Sequence, residues 1–245
     1  MNAWQGAWHI AKHELVRDKY GLLFTIAFCV YMAIVTMGFF QFEEKVPDSV
    51  IWFLDYTFIL IFPNFGFAFN RTTMRAWKED GFTDKLAEWR SMPIPLKDLI
   101  LGRMLQFFII LLPMVVLFFS IQYLSVASLR ENIDLGAYSL FALFWFCFAI
   151  GIAVTYIFFE LGYSSRLYSI YCIVLMIIVG SLLIAIKLAG VNVVLGLLRE
   201  LQAGHWWYTA GAILYAVTSL AAGYAIIVKR LRKRSFINKE SIKLG

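Results

Sequence analysis

Long stretches without a charged residue are the feature that most constrains how this chain can fold. Five stretches of at least 20 residues contain no Asp, Glu, Lys or Arg: residues 20–42, 104–129, 135–159, 167–186 and 201–228. A helix of about 20 residues crosses the roughly 30 Å hydrocarbon core of a bilayer. With 61% hydrophobic and only 16% charged residues, the chain also has more apolar side chain than one soluble core can bury. The sequence therefore predicts an all-α integral membrane protein.

A sixth apolar stretch, interrupted only by Asp55, completes the predicted set of membrane helices. No internal repeat or linker divides the chain, so residues 1–245 are predicted to form one transmembrane domain. Its six predicted spans are residues 21–40, 50–69, 104–127, 135–159, 168–189 and 206–228. The first span follows basic residues, as a signal peptide does, but its apolar run is too long and lacks a small-residue cleavage site. We therefore predict that it is a retained anchor.

Lysine and arginine are distributed unevenly between the two sides of the predicted membrane domain. With the N-terminus in the cytoplasm, the inner segments hold 18 of the 22 Lys and Arg residues, and the outer segments hold Lys45, Arg130, Lys187 and Arg199. This asymmetry predicts that the N- and C-termini are both cytoplasmic. It also explains the formal charge of +6, so membrane lipid is an expected partner and nucleic acid is not. The expected location is the cell membrane, as a multi-pass protein of a bacterial cytoplasmic membrane.

Residue patterns that carry catalysis or bind metals are sparse in this sequence. Cys29, Cys147 and Cys172 lie inside predicted spans without C-x-x-C spacing, and no His/Glu cluster falls within the membrane. No G-x-x-x-x-G-K-[ST] motif is present, so the chain has no P-loop of its own for ATP. We therefore assign no catalytic residue and no metal ligand.

The N-terminal segment has the pattern of a helix that lies in the membrane interface. Trp4, Trp8, Ala11 and Leu15 recur at the spacing of one helical face. Tryptophan side chains prefer the depth of the lipid headgroups. We therefore predict an interfacial helix anchored by Trp4, Trp8 and Leu15.

A polar segment with a regular residue pattern separates the second and third predicted spans. It comprises residues 80–103 and reads DGFTDKLAEWRSMPIPLKDLILGR. The apolar residues of a predicted short helix share one face: Phe82, Leu86 and Trp89. Pro93 and Pro95 bias the residues before them to extended geometry, which predicts a rigid corner leading directly into the third span. The structural alternative is a helix that lies on the bilayer with its apolar face in lipid.

The string LAEWRSMPIPLKDLILGR within this segment resembles the first cytoplasmic loop of ABC exporter permeases. In that family a short coupling helix is followed by an R-S-L-P-I-like turn and by an arginine at the start of the third span, and Met92 here replaces the usual leucine. The family is also similar in having six spans, an interfacial N-terminal helix, a short cytoplasmic turn between spans four and five, and a reentrant or surface helix between spans five and six. The corresponding segments here are residues 4–18, 160–167 and 191–204.

The resemblance implies a permease subunit that exports a drug, peptide or lipid, driven by ATP hydrolysis in a separate subunit. The implied partners are an ABC ATP-binding subunit and a second permease chain, identical or related. ATP and Mg would be cofactors of the partner subunit, with none in this chain. The residues that it implies in coupling to the ATPase are Phe82, Leu86, Trp89, Arg90, Pro93, Pro95, Arg103, Glu160 and Arg166. Among them, Arg103 would anchor a hinge at the inner membrane surface.

Two charged residues, Asp55 and Lys187, fall inside or at the end of predicted spans. Both are costly in lipid and are expected to face protein or water, where they could pair with each other or touch the exported substrate.

Three other classes of protein stay open. An intramembrane enzyme would need buried carboxylates or a Ser/His pair, but Glu43 and Glu44 lie in a predicted outer loop and no histidine is predicted to be buried. An ion-coupled transporter would need ionisable residues at the midplane and paired broken helices, and only Asp55 hints at it. A stand-alone membrane immunity or sensor protein would share every feature except the ATP-binding partner.

Overall fold

The structure, a computed structural model, describes residues 3–40, 48–68, 80–91 and 94–234. Every regular element within these residues is helical. The α-helices are α1 (Ala3–Arg17), α2 (Lys19–Met37), α3 (Asp48–Tyr56), α4 (Gly81–Ser91), α5 (Leu96–Ser125), α6 (Ala127–Asn132), α7 (Leu135–Gly162), α8 (Ser165–Leu188), α9 (Val193–Gln202) and α10 (Trp207–Lys233).

Five of these helices are long and apolar enough to cross a membrane: α2, α5, α7, α8 and α10. They correspond to five of the six predicted spans. The helix α5 begins at Leu96, well before the predicted start of the third span at residue 104, because α1 packs against its charged first turns. The short helices α4 and α9 lie where the sequence predicted a helix between spans two and three and another between spans five and six.

The second predicted span is not one regular helix. After α3 the chain continues as a π-helical turn, Thr57–Ile61, and a 3-10 turn, Phe62–Gly66. Pro63 lacks a backbone N–H and cannot continue an α-helical ladder, and the side chain of Asn64 donates to the carbonyl of Leu60 at 2.6 Å. The apolar helical segment Ile51–Gly66 is shorter than the about 20 residues that a straight spanning helix needs. Six spans are therefore not established by the structure.

Aromatic side chains from three elements form the centre of the hydrophobic core. Phe58 and Phe62, from the irregular segment after α3, are fully buried. The ring centroid of Phe58 lies 4.9 Å from that of Trp145 on α7, and the ring centroid of Phe62 lies 5.4 Å from that of Phe118 on α5. Edge and tilted ring contacts of this kind add to the gain from burial. The irregular segment is therefore held in place by packing on both of its long neighbours.

Small residues bring α1 close to the first turns of α5. Ala7 and Ala11 are fully buried, and a Cβ added at Gly102 would lie 3.0 Å from the Cβ of Ile10. The predicted grouping of Ala11 with Trp4 and Trp8 on one lipid-facing surface is wrong, because Ala11 turns toward α5. The two tryptophans are exposed, at 68% and 50%.

The helix α8 is covered by very little of the chain. Only Ser165 and Leu183 are buried along its 24 residues. The exposed side chains on α8 are mostly large and apolar, among them Ile173, Met176 and Ile177. An apolar surface of this extent needs lipid or another protein chain to cover it.

Candidate functional site

The apolar face of α4 packs into the chain itself. Phe82, Leu86 and Trp89 are each at most 9% exposed, and Leu86 and Trp89 belong to the main hydrophobic core. The ring of Phe82 meets that of Tyr168 on α8 edge to face, with centroids 5.1 Å apart. The helix and its apolar face were predicted from the spacing alone. The sequence predicted these three side chains as contacts to an ATPase, but in the structure the same chain covers them.

The first turn of α4 is fastened to the first turn of α8. The carboxylate of Asp80 accepts from the backbone N–H of Ser165 and from the hydroxyl of Thr83, each at 2.8 Å. The hydroxyl of Ser165 in turn accepts from the backbone N–H of Phe82 at 3.1 Å. Burial alone would raise the pKa of Asp80, but the hydrogen bonds donated to its carboxylate outweigh burial and hold the pKa below its ordinary value.

A buried ion pair connects the middle of α4 to α1. The ammonium of Lys85 contacts Oε2 of Glu14, which also accepts from Nη2 of Arg17 at 2.8 Å. The Lys85 ammonium also lies 4.6 Å from the ring centroid of Trp89. Burial lowers the pKa of Lys85, and the carboxylate of Glu14 only partly offsets this effect. The pair holds α4 against the N-terminal helix α1.

The residue after α10 supplies a third attachment of α4. The guanidinium of Arg234 donates to the hydroxyl of Thr83 at 2.7 Å and to the carbonyl of Leu161, at the end of α7, at 2.6 Å. One turn earlier, Arg230 donates to the carbonyl of Gly162 at 3.3 Å. These bonds satisfy carbonyls that the end of α7 leaves without helical partners. We call the residues Glu14, Asp80, Thr83, Lys85, Ser165 and Arg234 the α4 clamp.

A second buried ion pair lies behind the α4 clamp. Nε and Nη2 of Arg103 on α5 donate to Oε2 of Glu160 on α7, at 3.0 and 2.9 Å, and Nη1 donates to Oε1 of Gln106 at 2.7 Å. Arg103 and Glu160 are each 8% exposed. They line a cavity of about 70 Å³ together with Asn64, Phe67, Ala68, Phe82 and Tyr168. Glu160, predicted to flank a contact with the ATPase, is therefore engaged inside the chain.

The other predicted coupling residues are placed as follows. Arg166 is exposed on the first turn of α8, next to the α4 clamp, and Pro95 is exposed immediately before α5. The side chain of Arg90 and the whole of Pro93 lie outside the described residues. Leu15, predicted as an interfacial anchor, is half-buried on α1 and packs against the hydrophobic core.

Asp55 and Lys187 do not form the predicted pair. The carboxylate of Asp55 accepts from the backbone N–H groups of Val193 and Val194, at 3.2 and 2.8 Å. Because the start of a helix offers unpaired N–H groups and a partial positive charge, α9 itself satisfies this buried carboxylate. Lys187 is half-buried near the end of α8 and forms no ion pair with a described carboxylate.

Sequence reasoning missed most of the α4 clamp. Glu14 lies on the same face of α1 as Ala7 and Ala11, so a carboxylate on a small-residue face was the available signal. No comparable signal marks Ser165 or Arg234, because their partners are far away in the sequence. No group of three or more His, Cys, Asp or Glu residues that could hold a metal ion is present in the part of the chain that the structure describes.

The fold and composition are those of a helical, multi-pass membrane protein. No family model, curated protein or solved structure matches this chain.

Proposed function

We propose that this chain is the membrane-spanning permease subunit of an ATP-driven exporter, paired with a second permease chain and with separate ATP-binding subunits. The resemblance of LAEWRSMPIPLKDLILGR to the coupling loop of ABC exporter permeases supports the class. We also propose six spans, with the irregular segment Ile51–Gly66 as the second, and cytoplasmic termini. The exposed apolar surface of α8 offers a face for the second chain or for lipid.

The observation that carries this proposal is the way α4 is held. A surface helix that transmits force has to be fastened to the helices that it moves, since a loose helix would absorb the motion. Through the α4 clamp, α4 is attached to α1, to the start of α8 and to the end of α10 by charged or hydroxyl groups. A helix that merely rests on lipid needs none of these contacts.

The surface of α4 that remains for a partner is its polar face. Asp84, Ala87 and Glu88 are exposed, on the side opposite Leu86. We therefore place the contact with the ATP-binding subunit on these three residues and on the exposed Arg166. This replaces a contact through Phe82, Leu86 and Trp89, which are buried against the chain itself.

The test is to recover the full-length chain from its native membrane and to measure a co-purifying subunit that hydrolyses ATP. Ala87→Arg places a long charged side chain at the centre of the proposed contact, and we expect it to abolish co-purification while the chain stays folded. Ala203→Arg is the matched control, because Ala203 is exposed after α9, at the other end of the molecule. Absence of any ATP-hydrolysing partner, or equal recovery with Ala87→Arg, would refute the proposal and favour a stand-alone membrane protein.

A further inference from the structure

Two neighbouring cavities open at the surface of the helix bundle, beside α5 and α10. The larger, of about 580 Å³, is almost wholly apolar. Its lining includes Trp4, Phe108, Ile157, Val217, Ala221 and Tyr224. The smaller, of about 390 Å³, is lined by Lys97, Tyr224, Ala225, Val228, Lys229, Arg232 and Lys233. Tyr224 lines both cavities, so they adjoin at this side chain. We call the two together the groove, which is apolar along most of its length and basic at one end.

The basic residues of this end divide into two groups. Arg230 and Arg234 turn inward and donate to carbonyls at the end of α7. Lys229, Arg232 and Lys233 turn outward, together with Lys97 on the first turn of α5, and all four are exposed. None of the four forms an ion pair with a carboxylate in the described part of the chain. Within the described residues, the basic end of the groove therefore lacks a counter-charge.

The dimensions of the groove match one leaflet of a bilayer. From Lys97 to Phe108 the helix α5 rises by roughly 16 Å, at about 1.5 Å per residue. Half of a hydrocarbon core of about 30 Å is close to the same length. A molecule that fills the groove would thus place an anionic group among four cations and a hydrocarbon chain between α5, α7 and α10. A water-soluble anion would supply the anionic group but not the hydrocarbon chain.

We propose that this groove binds an anionic phospholipid. The phosphate lies among Lys97, Lys229, Arg232 and Lys233, and one acyl chain lies in the apolar part between Trp4 and Val217. Basic pockets between membrane helices are suited to anionic headgroups because the headgroup region is only partly hydrated and each nearby cation adds to the attraction. This inference is independent of the proposed transport function.

The experiment measures lipid binding to the purified full-length chain by native mass spectrometry. The probes are phosphatidylglycerol and phosphatidylcholine with identical acyl chains, which differ in net charge. We expect wild type to bind phosphatidylglycerol at least about tenfold more tightly, and the variant Lys97→Gln/Lys229→Gln/Arg232→Gln to lose this preference. The charge-matched control is Lys12→Gln/Lys19→Gln/Arg199→Gln, which removes three exposed cations elsewhere and should keep the preference.

A second variant tests the acyl part of the site without changing any charge. Ala221 is exposed and lines the apolar part of the groove, so Ala221→Trp should obstruct it and weaken the binding of both lipids severalfold. Equal binding of the two lipids by wild type, or equal loss of preference in the charge-matched control, would overturn the proposal. Inorganic phosphate that stabilises the chain as well as phosphatidylglycerol does would reduce the site to a bare anion site. A dimer that only Ala221→Trp disrupts, with lipid binding unchanged, would place a second copy in the groove instead.

Discussion

The buried pair Arg103–Glu160 is the contact for which the structure makes the sharpest energetic prediction. Two nitrogens of the guanidinium converge on Oε2 of Glu160, and the third donates to Gln106. All three residues are at most 8% exposed. Nε2 of Gln106 already has no hydrogen-bond partner among the described residues. Lys85 and Glu14 act on the pair electrostatically but are engaged with each other. Asn64 and Tyr168 line the same cavity but are uncharged, so neither takes the place of Arg103 or Glu160.

Removing one member leaves a buried charge without a partner, at a cost of about 3–5 kcal/mol in the free energy of unfolding. Arg103→Met also leaves Oε1 of Gln106 without its donor, and we expect that variant to lie at the upper end of this range. Replacing both residues removes both charges, and such replacements by apolar residues of similar volume are often neutral. The variant Arg103→Met/Glu160→Met should therefore be more stable than either single variant, with a coupling energy above about 2 kcal/mol.

The assay is reversible unfolding in mixed micelles with an increasing fraction of sodium dodecyl sulfate, followed by far-ultraviolet circular dichroism. The four members of the cycle are measured side by side, with Arg166→Met as the control for loss of an exposed arginine. That control should change stability by less than about 0.5 kcal/mol. If the two single substitutions simply add in the double variant, the pair does not exist as described.

Three further outcomes are expected from the same unfolding assay. Asp80→Asn should lower the free energy of unfolding by about 1 kcal/mol at neutral pH. The pKa of Asp80 is held below its ordinary 3.8. The stability difference between wild type and variant should therefore shrink as the pH falls below 3.8 and the wild-type carboxylate is protonated. Asp55→Ala should lower stability by about 1–2 kcal/mol, because the start of α9 loses its cap. Lys187→Met should be near neutral, and its effect should add to that of Asp55→Ala. A strong coupling energy between the two substitutions would instead show that Asp55 and Lys187 form an ion pair. Gly102→Leu should lower stability by about 1–3 kcal/mol, because the larger side chain forces α1 away from α5. In that background the thiol of Ala11→Cys should react with a maleimide. A thiol that stays protected from the maleimide would contradict the close packing of α1 on α5.

Local features of this fold could be predicted from the sequence because they depend on spacing alone. The charge-free stretches predicted the five long helices. The spacing of Phe82, Leu86 and Trp89 predicted the apolar face of α4, which is buried. What covers that face could not be predicted, because periodicity shows only that a face is apolar. Lipid, a partner and the chain's own helices all satisfy the same pattern.

Contacts between residues far apart in the sequence could not be predicted, for a different reason. A charge in an apolar stretch must be satisfied, but the sequence does not say whether an opposite charge or a helix terminus does so. The sequence allows Asp55 to pair with Lys187, since both are isolated charges, but the structure satisfies Asp55 with the backbone of α9 instead. Glu14 and Lys85 form a pair although 71 positions separate them.

The burial of Leu86 changes what the coupling proposal predicts about force. From the sequence, motion of α4 would pass to the third span through the proline corner alone. In the structure α4 is attached directly to α1 and to the start of α8, and through Arg234 to α10. A push on Ala87 would then move several helices together, and Lys85→Met would leave a docked subunit uncoupled from α1. Leu86→Asp no longer separates docking from folding, because its carboxylate would be buried in the core of this chain. Substitutions on the polar face of α4 test docking, and substitutions in the α4 clamp test transmission.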